Sequence, residues 1–237
     1  MKKFIFDVDG TLTPSRGKMD PDFEKWFWGF IQTNKTWLVT GSDYPKTVEQ
    51  VGKNICEDVV TVYNCSGNEV RFKGKMVNAN TWELPSNVRA WLETELVRSP
   101  FMTQTGNHIE ERRGCVNFSI VGRNATPAQR AEYVKYDTIN NERDYIARTF
   151  NYVFGEASMK LKATIGGETG LDIHPIGKDK SQILSDFNKD DNIFFFGDKM
   201  GFGGNDWPLA NALEDYPNGH SIQVKDWQHT WELLKEF

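Results

Sequence analysis

The chain has 237 residues and a mass of 27.2 kDa, enough for one large domain or two small ones with a hydrophobic core. It carries 28 Lys and Arg against 33 Asp and Glu, a formal net charge of −5, which excludes a strongly basic nucleic-acid-binding surface as the leading expectation. The longest run of large apolar residues, Ile193 to Phe196, is far too short to span a membrane. We therefore expect a soluble globular protein that acts on small molecules, without a nucleic-acid or membrane partner.

The cysteines and the N-terminal segment predict a cytoplasmic location. Cys56, Cys65 and Cys115 are widely separated and lack the C-x-x-C spacing of a metal or redox site, which favours a reducing compartment. The chain opens with Lys-Lys-Phe-Ile-Phe after Met1, but Asp7 and Asp9 interrupt this apolar segment. It is too short to act as a secretion signal.

The first eighty residues alternate between strand and helix patterns. Short apolar runs predict strands at Lys3–Val8, Thr36–Thr40 and Val59–Tyr63. Two intervening helices are predicted. The first starts at Pro21, with Asp20 as its N-terminal cap, and the second covers Pro45–Ile55. Because parallel neighbours need crossover connections, this order predicts an α/β fold with a doubly wound, Rossmann-like parallel sheet.

The pattern changes after residue 80 and returns near residue 178. The intervening segment predicts helices and extended stretches at Trp82–Val97, Ile109–Ile120, Ala128–Phe154, Lys160–Ile165 and Leu171–His174. A helix over Lys180–Phe187 and a strand over Ile193–Phe196 then resume the first pattern. We therefore predict a core of residues 1–80 and 178–237, with an α/β cap domain inserted at 81–177.

Two carboxylates follow the first predicted strand. Asp7 and Asp9 lie two residues apart, so the period of a strand would direct both side chains to one side. One could attack phosphorus as a nucleophile while the other transfers protons as a general acid/base. If this pair stood alone, two solvated acids in a turn would be the better explanation.

A second acidic segment follows the predicted strand over Ile193–Phe196. Asp198 comes directly after Gly197, and Asp206 follows a glycine-rich turn. Their oxygens suit Mg²⁺, which would bind phosphate oxygens and screen the repulsion between Asp7 and an anionic substrate. The alternative is an acidic loop whose glycines serve only to turn the chain.

Two further residues offer phosphate contacts. Ser42 provides a hydroxyl, with backbone N–H groups at a helix start nearby, although a simple helix cap would look the same. Lys180 could place its ammonium group on the phosphate and on Asp7, or be a surface lysine. A doubly wound sheet binds ligands at the carboxyl ends of its strands, so the joint placement of these signals favours catalysis.

These segments resemble the four motifs of the haloacid dehalogenase superfamily of phosphotransferases, in order and over the whole chain. The motifs are Asp-Val-Asp-Gly-Thr at 7–11, Thr-Gly-Ser-Asp at 40–43, the segment opening with Lys180, and Gly-Asp-Lys at 197–199 with Gly-Gly-Asn-Asp at 203–206. Within it the sequence is similar to the eukaryotic-type phosphomannomutases, whose cap lies between the second and third motifs. That resemblance implies an enzyme that interconverts mannose 6-phosphate and mannose 1-phosphate through an aspartyl-phosphate and a hexose bisphosphate.

The resemblance also implies roles for the core residues. Asp7 would be the nucleophile and Asp9 the general acid/base, with Lys180 and Ser42 assisting catalysis. Mg²⁺ would be held by Asp7, Asp198 and the Asp9 carbonyl, with Asp206 nearby. Hexose 1,6-bisphosphate would serve as activator, and the family's cap-mediated homodimer would be expected.

Substrate-binding residues are implied in both domains. Arg16 would contact substrate phosphate, whereas Arg112, Arg123 and Arg130 match the cap arginines that hold the distal phosphate of the sugar. Guanidinium groups bind phosphate through paired hydrogen bonds, and a mutase must hold two phosphates at once. Asp172 would contact sugar hydroxyls.

Three departures from the family pattern leave alternatives open. Gly170 stands where the family has serine, Ser66-Gly67-Asn68 replaces Glu-Asn-Gly, and Met200-Gly201-Phe202 replaces Thr-Met-Pro. A magnesium-dependent sugar-phosphate phosphatase of the same superfamily is the first alternative. A non-catalytic phosphosugar-binding protein is the second, although such a protein would not need every catalytic residue.

Overall fold

The computed structural model describes every residue from Met1 to Phe237 and divides into two compact units. Unit 1 comprises Met1–Asn80 and Gly177–Phe237, and unit 2 comprises Thr81–Ile176. The chain returns to unit 1 at Gly177, whereas the sequence pattern predicts this return at residue 178. None of the helices is long and apolar enough to cross a lipid bilayer.

The elements follow one another in a mixed order. The strands are β1 (Lys2–Phe6), β2 (Lys35–Val39), β3 (Thr61–Asn64), β4 (Glu69–Phe72), β5 (Lys75–Ala79), β6 (Ile109–Arg112), β7 (Cys115–Phe118), β8 (Leu161–Gly166), β9 (Gly170–Pro175), β10 (Asn192–Gly197) and β11 (Gly219–Gln223). The helices are α1 (Pro21–Thr33), α2 (Tyr44–Val51), α3 (Lys53–Asp58), α4 (Ser86–Arg98), α5 (Pro127–Asn140), α6 (Glu142–Phe154), α7 (Trp207–Leu213) and α8 (Trp227–Leu234). Short 3₁₀ helices cover Cys65–Gly67 and Lys180–Asp186.

Unit 1 is a seven-stranded sheet with apolar residues on both faces. Its order is β11-β10-β1-β2-β3-β4-β5, and the first five strands in this order are parallel to one another. Phe4 and Phe6 of β1 pack with Phe27 of α1, while Ile5 packs on the opposite face with Leu209 of α7. The expected doubly wound α/β core is therefore confirmed, with β4 and β5 adding an antiparallel edge.

Local signals explain where the helices of unit 1 begin and end. The carboxylate of Asp20 accepts hydrogen bonds from the first turn of α1, and Pro21 occupies the first helical position as predicted. The single helix expected over Pro45–Ile55 is instead α2 and α3, because Gly52 adopts φ of 85° between them. The segment after Lys180 is a 3₁₀ helix.

Unit 2 is a four-stranded antiparallel sheet, β6-β7-β9-β8, covered by helices on one face. Phe118 and Ile173 belong to a core shared with Phe150 of α6 and with residues of α4 and α5. Because successive side chains of a strand point to opposite faces, the residues between these core positions lie on the other face of the sheet, which is polar. The long helix expected over Ala128–Phe154 is divided at Asn141, which has φ of 53°.

Candidate active site

Three carboxylates converge at the carboxyl ends of two neighbouring strands. Asp7 follows β1, Asp198 follows β10, and Asp206 immediately precedes α7. The backbone N–H of Asp7 donates to the carbonyl of Phe196 at 2.9 Å, which continues the β1–β10 pairing to the edge of the site. One oxygen of each carboxylate lies within 4.8 Å of the others, so the sheet brings these sequence-predicted residues together.

Lys180 provides the positive charge of this cluster. Its side chain is fully buried, and its Nζ donates to Oδ1 of Asp7 at 2.5 Å and to Oδ1 of Asp206 at 2.7 Å. The second oxygen of Asp206 accepts the backbone N–H of Lys199 at 3.0 Å. Lys180 is therefore a buried member of the site, and the surface-lysine alternative is wrong.

Burial and mutual repulsion set the electrostatics of the cluster. Burial, followed by the charge of Asp206, raises the pKa of Asp7 to about 8 despite the opposing effect of Lys180. Burial also raises the pKa of Asp198. For Lys180, burial opposes the charged form, but the carboxylates of Asp206 and Asp7 raise its pKa above the usual value. Lys180 therefore remains an ammonium group.

The donor set fits a divalent cation. If all three carboxylates ionised, their negative charge would exceed the charge of the one ammonium group by two, and a divalent cation would balance this excess and oppose the raised pKa of Asp7. Oδ1 of Asp198 is buried and has no hydrogen-bond partner, so one ligand oxygen is left unsatisfied by the protein. Oxygen donors of this kind suit Mg²⁺. Gly10 makes the close approach possible, because a Cβ at its φ of +81° would lie 2.5 Å from Oδ2 of Asp198.

The carboxylate of Asp9 has its own partners outside this cluster. Its Oδ1 accepts the backbone N–H of Arg16 at 2.7 Å and the Gln50 amide at 2.8 Å. Its Oδ2 lies 3.5 Å from the hydroxyl of Ser42. The expectation that strand geometry directs Asp7 and Asp9 to one side does not apply, because β1 ends at Phe6.

Ser42 and Arg16 lie beside Asp9 in unit 1. The backbone N–H of Ser42 donates to the Thr40 hydroxyl at 3.1 Å, and Asp43, rather than Ser42, caps α2. The group of Ser42 that faces Asp9 is therefore its side-chain hydroxyl. The residue Arg16 is exposed and adopts φ of 58°, a backbone conformation uncommon for a residue other than glycine.

The three predicted arginines of unit 2 form a second cluster. Glu110 Oε2 accepts from Nη2 of Arg112 at 2.5 Å and lies 3.0 Å from Nε of Arg123. Arg130 donates to the carbonyls of Ala125 and Arg123 at 3.2 and 3.4 Å, and its buried Nη1 has no partner. Although burial opposes it, the carboxylates of Asp172 and then Glu110 raise the pKa of the Arg112 guanidinium.

Asp172 lies across the sheet from Asn117. The Asn117 amide donates to Oδ1 of Asp172 at 2.7 Å, and Oδ1 of Asn117 is buried without a partner. A Cβ at Gly170 would lie 2.6 Å from the Asn117 amide nitrogen. The glycine found where the family has serine therefore leaves room for the Asn117 side chain.

Sequence reasoning missed three residues with direct roles in this geometry. Gln50 positions Asp9, Glu110 joins two arginines, and Asn117 binds Asp172. Gln50 is a polar residue within the helix predicted over Pro45–Ile55, and nothing in the sequence marks it as buried. Glu110 stands two positions before Arg112 in an alternating strand, and that shared face was the available signal.

Comparison with solved structures defines the fold class. The chain is similar to a haloacid dehalogenase-like hydrolase from Bacteroides thetaiotaomicron, with a TM-score of 0.61, 13% identity, and coverage of 99% of this chain and 98% of that one. It is also similar to a trehalose-6-phosphate phosphatase related protein, with a TM-score of 0.58, 17% identity, and coverage of 99% and 96%. The fold is that of the haloacid dehalogenase-like class.

Sequence comparison defines the family within this class. A model of the eukaryotic phosphomannomutase family matches residues 29–236. The chain is 32% identical to a phosphomannomutase of Galdieria sulphuraria over 92% of this chain and 88% of that protein. It is 29% identical to the phosphomannomutase of Saccharomyces cerevisiae strain S288c over 98% and 92%. This chain belongs to the eukaryotic phosphomannomutase family.

Proposed function

We propose that this protein is a phosphomannomutase that interconverts mannose 6-phosphate and mannose 1-phosphate through an aspartyl-phosphate and a hexose bisphosphate. Family membership supports this activity. The observation that carries the proposal is that two separate groups of residues are each suited to one phosphate. They are the buried Asp7–Lys180 pair in unit 1 and the arginine cluster in unit 2. A simple phosphatase needs to hold only one phosphate, whereas a mutase must hold two.

Asp7 is the nucleophile in this proposal. Lys180 binds Oδ1 tightly, while Oδ2 has only the Thr11 hydroxyl at 3.5 Å, so Oδ2 is the oxygen available for attack. It forms a bond to phosphorus as the bond from phosphorus to the sugar oxygen breaks. The charge of Lys180 lowers the pKa of Asp7 against the effect of burial, which favours the ionised carboxylate, and it offsets part of the phosphate charge.

Asp9 transfers the proton in both directions. It donates a proton to the sugar oxygen that leaves phosphorus, and accepts one from the hydroxyl that attacks the aspartyl-phosphate in the return step. Gln50 and the backbone of Arg16 hold Oδ1, so Oδ2 next to the Ser42 hydroxyl is the oxygen that carries the proton. Ser42 and Arg16 then contact the transferring phosphate and the substrate.

The proposed metal is Mg²⁺, held by Asp7, Asp198 and the Asp9 carbonyl with Asp206 in support. When bound, it would neutralise negative charge on the phosphate that approaches Asp7. The unpartnered Oδ1 of Asp198 and the excess negative charge of the cluster support this assignment.

Unit 2 binds the other phosphate in this scheme. Arg112, Arg123 and Arg130 supply guanidinium groups, and Asp172 supplies a carboxylate for the sugar hydroxyls. Hexose 1,6-bisphosphate acts as activator by donating the phosphate that first loads Asp7.

Phosphorus NMR of the purified protein tests this function. We would supply Mg²⁺, mannose 1-phosphate and a trace of hexose 1,6-bisphosphate, and follow mannose 6-phosphate and inorganic phosphate together. Mannose 6-phosphate with little free phosphate is the expected result. Inorganic phosphate as the main product would instead identify a phosphatase, and binding without turnover would identify a phosphosugar-binding protein.

The proposal includes a homodimer formed through unit 2 and a reducing, cytoplasmic environment. Exposed apolar side chains on all three helices of unit 2, Val97, Ile139 and Tyr152, support a self-association surface. Three buried cysteines without disulfide bonds are consistent with a reducing compartment. Sedimentation equilibrium of the whole chain measures the mass directly, and a monomer would refute the dimer.

A further inference from the structure

Glu110 contacts two residues of the arginine cluster, Arg112 and Arg123. One of its oxygens, Oε2, accepts hydrogen bonds from Nε and Nη2 of Arg112 at 3.2 and 2.5 Å, and the same oxygen lies 3.0 Å from Nε of Arg123. Glu110 and Arg112 are two positions apart in β6 and therefore project from the same face of the sheet. A single carboxylate therefore forms ion pairs with two of the three guanidinium groups proposed to bind phosphate.

The contacts of Glu110 do not use every donor of the arginine cluster. On Arg112 the Glu110 carboxylate engages Nε and Nη2, and Nη1 lies outside this contact. Arg130 is held by backbone carbonyls, and its buried Nη1 has no partner. A phosphate can therefore bind the remaining donors while the Glu110 carboxylate stays in place.

The charge of Glu110 opposes such a phosphate. Glu110 lies against Arg112 and Arg123, and the carboxylate of Asp172 also acts on Arg112, so these two carboxylates offset part of the positive charge of the arginines. The side chains of Arg112, Glu110 and Arg123 are 20 to 32% exposed, so their charges are only partly screened by water. A phosphate dianion in this cluster is attracted by the arginines and repelled by Glu110.

We propose that Glu110 is a positioning residue that also acts as a resident counter-charge: it holds Arg112 and Arg123 in place, and its negative charge lowers their affinity for phosphate. This inference rests on the proposed mutase function. A hexose bisphosphate must release one phosphate from the arginines and present the other before the second transfer occurs. Tighter binding of that phosphate would lengthen each exchange and lower turnover.

The neighbouring Glu111 provides a matched control. It lies in the same strand but on the opposite side, it is exposed, and it pairs with Arg89 instead of with the arginine cluster. Glu111→Gln removes one negative charge from the same strand without touching Arg112 or Arg123. Any effect of net charge alone is therefore common to both variants.

The test is calorimetric titration of the full chain with sulfate in magnesium-free buffer, where the acidic cluster of unit 1 repels an anion. Glu110→Gln keeps an acceptor oxygen for the arginines but removes the charge, so we expect its sulfate Kd to fall about tenfold below that of the unaltered protein. Glu111→Gln and the charge-preserving Glu110→Asp are expected to bind sulfate like the unaltered protein. Arg123→Ala, which removes a ligand, is expected to abolish most of the binding.

Steady-state kinetics provides the second readout. Glu110→Gln is expected to lower both KM and kcat of the mutase reaction, because tighter binding slows phosphate exchange. A purely structural residue would raise KM when replaced. Unchanged or weaker sulfate binding by Glu110→Gln, with normal binding by the unaltered protein, overturns the role of Glu110 alone. Absence of Arg123-dependent binding in the unaltered protein overturns the arginine site of the proposed function, and this inference with it.

Discussion

The acidic cluster of unit 1 and the arginine cluster of unit 2 are built in opposite ways. The side chains of Asp7, Asp206 and Lys180 are at most 2% exposed, and the ammonium group is held directly by two carboxylates. Arg112 and Arg123 are about one-fifth exposed and share one glutamate. A site that makes and breaks bonds gains from fixed charges in a dry environment, whereas a site that must release its ligand gains from partial solvation.

The largest expected effect comes from removing the proposed nucleophile. Asp7→Asn preserves the shape of the side chain but abolishes its nucleophilic charge, so kcat should fall on the order of ten-thousandfold. Turnover followed by phosphorus NMR measures this loss. Asp22→Asn, an exposed acid on α1, is the matched control and should retain full activity. An Asp7→Asn protein that still interconverts the two sugar phosphates would rule out the assignment.

The arginine cluster should respond through KM instead. Arg123→Ala removes the charge-assisted contact to phosphate proposed for this residue, which is expected to lower kcat/KM about ten- to a hundredfold, mainly through a higher KM. Kinetics over a range of mannose 1-phosphate concentrations separates the two constants. Arg148→Ala, at an exposed position on α6, should change neither. A loss confined to kcat would contradict the division of roles between the clusters.

A smaller effect is expected on the stability of unit 1. Asp198 contributes a largely buried charge with an unpartnered oxygen, so Asp198→Asn should raise the unfolding free energy of the magnesium-free protein by about 1 to 2 kcal/mol. It should also reduce the stabilisation gained on adding Mg²⁺. Thermal unfolding in a chelator and in Mg²⁺ measures both changes.

The control for this comparison is Asp215→Asn, which alters an exposed acid of the same unit. It should leave both the magnesium-free stability and the response to Mg²⁺ unchanged. If Asp198→Asn gained as much from Mg²⁺ as the unaltered protein, Asp198 would not be a ligand.

The smallest effect is expected at the ion pair between Lys3 of β1 and Asp191, the residue before β10. Burial opposes ionisation of Asp191, but hydrogen bonds from Lys3 and the backbone of Asn188 lower its pKa below the usual value. The stabilisation is therefore present above about pH 4, the unfolded value, and is lost as pH falls through the folded pKa. Asp191→Asn should cost about 1 kcal/mol at pH 7.

Denaturant unfolding from pH 7 to pH 2 checks this prediction. The unaltered protein should lose stability more steeply in acid than Asp191→Asn, while Asp190→Asn, at the adjacent exposed position, should follow the unaltered protein. Parallel curves for the unaltered protein and Asp191→Asn would show that the Lys3 contact has no energetic value. The stability change at Asp191 gives the energetic contribution of a charge outside the acidic cluster, for comparison with the change expected at Asp198 inside it.

The sequence predicts elements well where one local signal dominates. The Asp20-Pro21 pair fixes the start of α1, and the apolar run of β1 marks a central strand. The breaks at Gly52 and Asn141 were missed because apolar spacing continues across a single left-handed residue. Such a residue changes the direction of the chain without changing the composition around it.

The acidic cluster was predictable because its members follow strand ends and a parallel sheet aligns those ends. The partners of Asp9 were not, since Gln50 reaches it from a helix 41 positions away. The Glu110 contact was missed for a different reason. The alternating strand pattern places Glu110 and Arg112 on one face, but this pattern is the same whether the face meets water or a second arginine, so only the folded sheet shows the contact with Arg123.

The interrupted layout of unit 1 has a consequence for biosynthesis. β1 pairs on one side with β2, but its other neighbour is β10, which is translated only after the whole of unit 2. Unit 2 is contiguous and can form its own core as it emerges, while one edge of β1 stays unpaired. The end of β1 that leads to Asp7 is therefore among the last parts of the molecule to be completed, and a ribosome-bound chain lacking β10 has no acidic cluster.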